Sequence, residues 1–190
     1  MKVETTELEG VLEIHPMVFG DERGQFLETW RQERYVEHGI GPTFVQANSS
    51  RSVKGVLRGL HYQWPESQGK LVWVSSGRAL DVVVDIRTDS PTFGQWLGRE
   101  LDGNSQNQLW VPEGFAHGFL TLSEQLTFNY LCTRPYRGPQ DRSIAWNDPQ
   151  IGIDWPLDVL ESGPELSGKD QNAPNLADID RADLPTCASC

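Results

Sequence analysis

Short runs of apolar or alternating residues recur along the first 133 positions, separated by Gly, Pro, Asp and Asn. This spacing predicts about ten short strands in a sandwich or barrel. The predicted strands are Val11–Phe19, Gly24–Trp30, Thr43–Ser49, Gly55–Gln63, Leu71–Ser76, Ala79–Ile86, Gln95–Leu101, Gln108–Val111, Ala116–Thr121 and Leu126–Thr133. One short helix is predicted before residue 150, from Gln32 to His38. Strands without crossover helices exclude a parallel α/β sheet, so the chain is predicted to be all-β.

One predicted strand, Leu80–Arg87, alternates clearly between apolar and mixed positions. Successive side chains of a strand point to opposite faces, so Asp81 and Asp85 share a face. Two carboxylates there should meet a polar cavity, solvent or cations. Structural pairing with Arg87 or Arg78 is the interpretation we prefer.

The pattern fades beyond residue 133, where prolines interrupt every regular element. A few apolar residues remain as anchors: Trp146, Ile151, Ile153 and Trp155. We predict a single domain over residues 1–190, with a β body at about 8–133 and a loop-rich segment at about 134–190 that wraps it.

The net charge of the chain narrows the classes of molecule that it can bind. The formal net charge of the 190 residues is −11, which disfavours nucleic acid and anionic membranes. No apolar run approaches the roughly 20 residues that span a bilayer, and residues 1–7 do not resemble a signal peptide. We therefore expect a cytoplasmic protein. Residues 40–78 contain five lysines and arginines and a single acidic residue, Glu66. This excess of positive charge is compatible with an anionic ligand or with ordinary solvated charges.

The chain has three cysteines. Cys132 lies in an apolar run and is predicted to be a small core residue. Cys187 and Cys190 form a C-x-x-C at the end of the chain without further metal ligands or a βαβ context. We expect this tail to have no function.

Two of the four histidines, His61 and His117, lie in apolar strand-like runs. They are either core residues or members of a shared cavity. The run Pro112-Glu113-Gly114-Phe115-Ala116-His117 resembles the second metal-binding stretch of metallocupins. The first stretch would need a second histidine where the chain has Gln63, and Glu66 fits an exposed turn. A histidine ligand set is therefore incomplete, and we predict no metal and no cofactor.

The competing chemistry is proton abstraction next to a carbonyl group. It needs a base, a cation near the developing enolate oxygen and an acid on the other face. His61 can be the base, Lys70 or Arg58 the cation, and Tyr130 the acid. A carboxylate should orient the histidine, but spacing does not say which one.

Eight stretches in this order resemble the dTDP-4-dehydrorhamnose 3,5-epimerase family over about residues 8 to 180. They are 18–28 (VFGDERGQFLE), 46–49 (QANS), 55–63 (GVLRGLHYQ), 68–72 (QGKLV), 81–87 (DVVVDIR), 112–119 (PEGFAHGF), 146–149 (WNDP) and 166–170 (LSGKD). The resemblance implies a jelly-roll or cupin-type β-barrel and a homodimer. It also implies a dTDP-sugar substrate inverted at carbons 3 and 5, in dTDP-L-rhamnose biosynthesis.

The resemblance also implies roles for individual residues. His61 matches the base, Asp170 its carboxylate partner and Tyr130 the acid. Lys70 matches the group near the enolate oxygen and is also a substrate-binding residue. The remaining matches are substrate-binding residues: His117 at the sugar, Tyr136 stacked on thymine, Asp141, and Arg23, Glu28, Gln46, Asn48, Arg58 and Lys169 around the nucleotide and its phosphates.

Three positions depart from the family pattern: Leu131, Pro135 and Asp141 stand where Lys, Tyr and Glu are common. A single-carbon epimerase, a ketoisomerase, an enzyme of another deoxysugar pathway, a metal-dependent cupin and a non-catalytic sugar-nucleotide binder stay open as alternatives. Arg58 and His61 are three residues apart and should face opposite sides of a regular strand. Either Gly59 forms a bulge, or the two residues serve different parts of the cavity.

Overall fold

The computed structural model describes residues 1–41 and 43–189. Their strands are β1 Lys2–Thr5, β2 Leu12–His15, β3 Val18–Asp21, β4 Gly24–Leu27, β5 Gln46–Val53, β6 Leu57–Gln63, β7 Lys70–Ser76, β8 Arg78–Asp85, β9 Trp96–Asp102, β10 Gln108–Val111, β11 Phe115–Thr121, β12 Gln125–Cys132 and β13 Asp141–Ser143. The α-helices are α1 Gln32–Val36 and α2 Gly168–Gln171. Short 3₁₀ helices span Gly138–Gln140, Leu157–Val159, Leu176–Asp178, Arg181–Asp183 and Cys187–Ser189.

Two antiparallel sheets face each other. The six-stranded sheet has the order β1-β2-β10-β7-β12-β5, and the five-stranded sheet β13-β6-β11-β8-β9. Alternate apolar side chains of both sheets fill the space between them, including Val72, Phe128, Val83 and Phe119. The predicted all-β class is confirmed. No helix in the described residues is long and apolar enough to cross a membrane.

The outer face of each sheet, which points away from the other sheet, is also covered. Ile144, Ile151, Trp155 and Leu176 of the C-terminal segment pack with the outer side chains of the five-stranded sheet. The six-stranded sheet is covered on its outside by α1 and the residues that flank it, including Tyr35 and Ile40. The space between the sheets remains accessible at one end, beside β5 and β6.

Several element boundaries differ from the predictions. The predicted strand Val11–Phe19 is two strands, β2 and β3, and α1 ends at Val36 instead of His38. β1 and β13 were not predicted. Cys132 is buried as expected. Cys187 is exposed, and Cys190 lies outside the described residues, so the expectation for the C-x-x-C stays a prediction.

Candidate active site

The two strand histidines lie side by side on β6 and β11. His61 is paired with His117, and the next registered pair is Arg58 with Phe119, so three steps on β6 oppose two on β11. This bulge restores Arg58 to the face of His61, which is the first of the two alternatives that strand parity left open. Gly59 has φ +135°, and a Cβ there would lie 2.6 Å from the Gly118 Cα. Glycine is therefore needed at the bulge for both reasons.

Two cavities, of about 320 and 230 Å³, open between the sheets. Both are lined by His61, Lys70 and Tyr130. The first is also lined by Gln46, Asn48, Tyr62, Gln63, Gln68, Cys132, Tyr136 and Asp141. The second is also lined by Ser50, Arg58, His117, Gly118, Phe119 and Phe128. The three shared residues mark the point where the predicted chemistry is concentrated.

His61 is paired with a buried carboxylate. Its Nε2 lies 2.6 Å from Asp170 Oδ1, and the Asp170 side chain is 2% exposed. Burial alone would raise the pKa of Asp170, but the hydrogen bond and charge of His61, with smaller contributions from Ser167 and the Gly59 backbone, lower it below its usual range. The ionised carboxylate engages Nε2 of His61, which leaves Nδ1 available to take a proton.

Lys70 and Tyr130 approach from the opposite sheet, on neighbouring strands β7 and β12. Burial lowers the pKa of the Lys70 ammonium and raises the pKa of the Tyr130 phenol. Tyr130 therefore holds its proton at neutral pH and can donate it. Lys70 places a positive charge in a site where water screens it weakly.

A second histidine–carboxylate pair lies beside the first. His117 Nε2 is 2.8 Å from Asp81 Oδ2, and both side chains are buried. Burial raises the pKa of Asp81. The expected pairing of Asp81 with an arginine is wrong: Arg78 binds Glu100, whereas Asp81 points between the sheets. Only Asp85 makes the predicted pair with Arg87.

Polar residues join into a rim around the first cavity. Gln46 accepts a hydrogen bond from the Tyr136 N–H at 2.8 Å and donates one to Asn48 at 3.0 Å. The Tyr136 hydroxyl donates to Asp141 at 3.1 Å, and Lys169 also binds Asp141. The negative charge of Asp141 raises the pKa of Tyr136. Five of the predicted substrate-binding residues are thus linked to one another.

Comparison with known proteins agrees with this geometry. The sequence model described as dTDP-4-dehydrorhamnose 3,5-epimerase matches residues 5–178. The chain belongs to this family. The Salmonella typhimurium dTDP-4-dehydrorhamnose 3,5-epimerase is 53% identical over 178 residues, which cover 93% of this chain and 96% of that protein.

Two solved structures extend the comparison. The dTDP-6-deoxy-D-glucose-3,5-epimerase of Legionella pneumophila, in complex with dTDP-4-keto-L-rhamnose, has a TM-score of 0.93, 49% identity and coverage of 97% of both chains. A 4-keto-6-deoxy sugar epimerase from the novobiocin biosynthetic gene cluster of Streptomyces spheroides also has a TM-score of 0.93, with 39% identity and coverage of 100% of this chain and 95% of that one. The two-sheet body is thus the cupin-like jelly roll of these epimerases, and the chain belongs to a family of isomerases.

Two residues that the family resemblance assigns to substrate binding lie away from both cavities. Arg23 is at the tip of the β3–β4 hairpin, where its exposed side chain binds Asp21. Glu28 follows the hairpin and pairs with Arg34 and Arg31. Within one chain of this epimerase, neither lines the space around His61.

Several lining residues were not named as site residues by sequence reasoning. Phe119 and Phe128 stack with ring centroids 4.1 Å apart and line the second cavity. Strand alternation could have identified both, since each is two residues from a predicted site residue, His117 or Tyr130. Tyr62 and Gln68 carried no comparable signal.

The position expected for a second metal ligand is occupied by an amide with other partners. Gln63 donates to the Glu66 carbonyl at 2.6 Å and accepts from the Arg137 N–H at 2.8 Å. Residues 1–41 and 43–189 contain no group of three or more His, Cys, Asp or Glu side chains suited to a metal. The expectation of chemistry without a metal or cofactor stays a prediction.

Proposed function

We propose that this protein is a dTDP-4-dehydrorhamnose 3,5-epimerase. It inverts carbons 3 and 5 of dTDP-4-dehydro-6-deoxyglucose in dTDP-L-rhamnose biosynthesis. One observation carries the proposal: His61, backed by buried Asp170, faces Lys70 and Tyr130 from the opposite sheet. Inversion requires a proton acceptor and a proton donor on two sides of the same carbon, which is the arrangement that two facing sheets provide.

The reaction follows from the acidity of C–H bonds beside a ketone. His61 takes the proton from carbon 3 or carbon 5 while the C4 oxygen gains negative charge, which Lys70 stabilises. Tyr130 returns a proton to the carbon from the other side, and the configuration inverts. His61 then releases its proton to solvent and Tyr130 regains one, so the second carbon can react in the same way.

The nucleotide is proposed to lie along the rim. Exposed Tyr136 offers a ring face for thymine, while Arg58 and Lys169 offer positive charge to the diphosphate. Gln46 and Asn48 supply donors and acceptors between them. His117, held by Asp81, lies at the inner end with the sugar. A cytoplasmic location stays a prediction.

The hairpin β3–β4 supports the homodimer as part of this proposal. It pairs only with itself in the described residues, yet it exposes Phe19, Phe26 and nearby Met17. An isolated hairpin is marginal in water, so a partner surface would stabilise it. Arg23 at its tip would then reach the cavity of the second subunit.

Mixed dimers test this arrangement. Arg23→Ala and His61→Ala subunits are each expected to be inactive or nearly so. When they are mixed and allowed to exchange, a hairpin that acts on the partner leaves one intact site in every mixed dimer, and activity returns. Activity that never returns in demonstrably mixed dimers contradicts the shared site, and a monomeric mass in solution contradicts the dimer.

The sugar product tests the reaction itself. The enzyme is incubated with dTDP-4-dehydro-6-deoxyglucose, the keto group is reduced to fix the configuration, and the sugars are identified by NMR. Inversion at both carbons supports the proposal. Inversion at one carbon supports the second candidate, a single-carbon epimerase of another deoxysugar pathway, which the likeness to a 3'-monoepimerase from Streptomyces bikiniensis favours. An unaltered sugar contradicts both.

A further inference from the structure

Ser167 belongs to the 166–170 stretch but has no role in the reaction described above. It is the N-cap of α2, with extended backbone angles, and its Oγ accepts a hydrogen bond from the Asp170 N–H at 3.1 Å. The backbone that this cap holds is therefore that of Asp170, whose carboxylate is the partner of His61. Capping usually stabilises a helix, but α2 is only four residues long.

The hydroxyl of Ser167 also lowers the pKa of the Asp170 carboxylate. Burial acts to raise the pKa of Asp170, and hydrogen bonds from His61, Ser167 and the Gly59 backbone oppose it. A carboxylate that is 2% exposed cannot take these donors from bulk water. Its charge and orientation therefore depend on groups that the fold supplies.

The segment that carries Ser167 is fixed to the strand that carries His61. The Glu165 N–H donates to the Gly55 carbonyl at 2.8 Å, and the Leu57 N–H donates to the Glu165 carbonyl at 3.0 Å. These bonds form a short parallel bridge beside the start of β6. Ser167 follows two residues later, so its distance from His61 is set by backbone hydrogen bonds rather than by a free loop.

We propose that Ser167 is a positioning residue for epimerisation, whose hydroxyl holds the Asp170 backbone, and through it the carboxylate, in place against His61. The inference rests on the proposed function, because it assumes that His61 is the base. Without the hydroxyl, the Asp170 N–H loses its acceptor and the start of α2 loses its cap. His61 then keeps its place on β6 but is less well oriented for proton transfer.

The test compares Ser167→Ala, Ser167→Thr and, as a matched control, Ser162→Ala in the same exposed loop. Ser167 is exposed, so its hydrogen bond is of modest strength, and Ser167→Ala should lower kcat about five- to twentyfold. KM and the Kd of dTDP should stay within about twofold, since Ser167 lines neither cavity. Ser167→Thr should restore kcat because threonine keeps the hydroxyl.

The pH profile separates positioning from stability. The Ser167 hydroxyl lowers the pKa of the Asp170 carboxylate, so its removal should raise the proton affinity of the His61–Asp170 pair. The acid limb of kcat/KM should therefore move to higher pH in Ser167→Ala and return in Ser167→Thr. The other ionisable groups around the two cavities and α2 are the same in both variants: Arg58, Tyr62, Lys70, Asp81, His117, Tyr130, Cys132, Tyr136, Asp141 and Lys169.

Four outcomes overturn the inference. Three are a wild-type kcat and pH profile in Ser167→Ala, an equal loss in Ser162→Ala, and a loss that threonine does not restore. The fourth is lowered thermal stability with a normal acid limb, because a helix cap alone explains that result. If the wild-type protein itself exchanges no proton at carbons 3 and 5, the proposed function fails instead.

Discussion

Replacing Asp170 by asparagine removes one negative charge from a buried pair and changes little else. The Asp170 side chain is 2% exposed, and its Oδ1 lies 2.6 Å from His61 Nε2. Asparagine has nearly the same size, so the packing around α2 should be kept. Its amide carries no charge to stabilise the imidazolium that forms when His61 takes a proton.

The size of the effect follows from burial. An exposed ion pair contributes about 0–1 kcal/mol because water can solvate either partner once the other is lost. Asp170 is buried, so water cannot take the place of its contact with His61. A hydrogen bond to a charged group contributes about 1.5–3 kcal/mol, and the same substitution in a Ser-His-Asp triad lowers kcat about 10⁴-fold. Since a third of the His61 side chain is exposed, we expect a fall in kcat of about 10²- to 10⁴-fold.

The assay follows loss of the C3 and C5 proton signals by NMR in heavy water, with dTDP affinity measured by calorimetry. Asp154→Asn, an exposed residue elsewhere in the C-terminal segment, makes the same chemical change outside the site and should leave both values unaltered. An Asp170→Asn enzyme that binds dTDP normally and exchanges both protons within about threefold of the wild-type rate would refute the reasoning.

Three further predictions concern the other groups of the site. Tyr130→Phe should still exchange protons but form little or no inverted product, because His61 remains while the proton donor is lost; NMR follows both events, and inversion at the wild-type rate contradicts the assignment. Lys70→Arg should move the alkaline limb of kcat/KM to higher pH. Burial lowers the pKa of Lys70 and raises that of Tyr130, so the wild-type rate falls as Lys70 loses its proton, whereas a guanidinium stays charged. An unshifted limb in an active Lys70→Arg enzyme counts against this role. Dialysis against a chelator should leave kcat unchanged, and a near-stoichiometric transition metal whose removal abolishes activity would contradict that.

The strands that sequence predicted well are those with a clear apolar face. β8 and β11 lie in the middle of a sheet, so alternation or continuous apolar character marks them. β1 was missed because its sequence, KVET, is half charged, and it pairs on one side only, with β2. β13 is three residues long and exists through its pairing with β6. No local pattern specifies such a contact.

Site residues could be predicted where the sequence around them carries the signal, and not where the contact joins distant parts of the chain. His61 and His117 stood out in apolar runs, and the bulge beside Gly59 is one of the two alternatives that parity left open. Asp170 is 109 residues from His61, so the family resemblance, rather than spacing, supplied it. The partner of Asp81 was assigned wrongly because strand alternation gives the face of a side chain but not what lies across from it.

The most direct test of the account is the count of deuterium atoms that the wild-type enzyme introduces at carbons 3 and 5 of dTDP-4-dehydro-6-deoxyglucose in heavy water. His61→Ala, with normal dTDP affinity, is measured in parallel. The account predicts one deuterium at each carbon for the wild-type enzyme and none above background for the variant. A wild-type enzyme that labels neither carbon, or a His61→Ala enzyme that labels both at the wild-type rate, contradicts it.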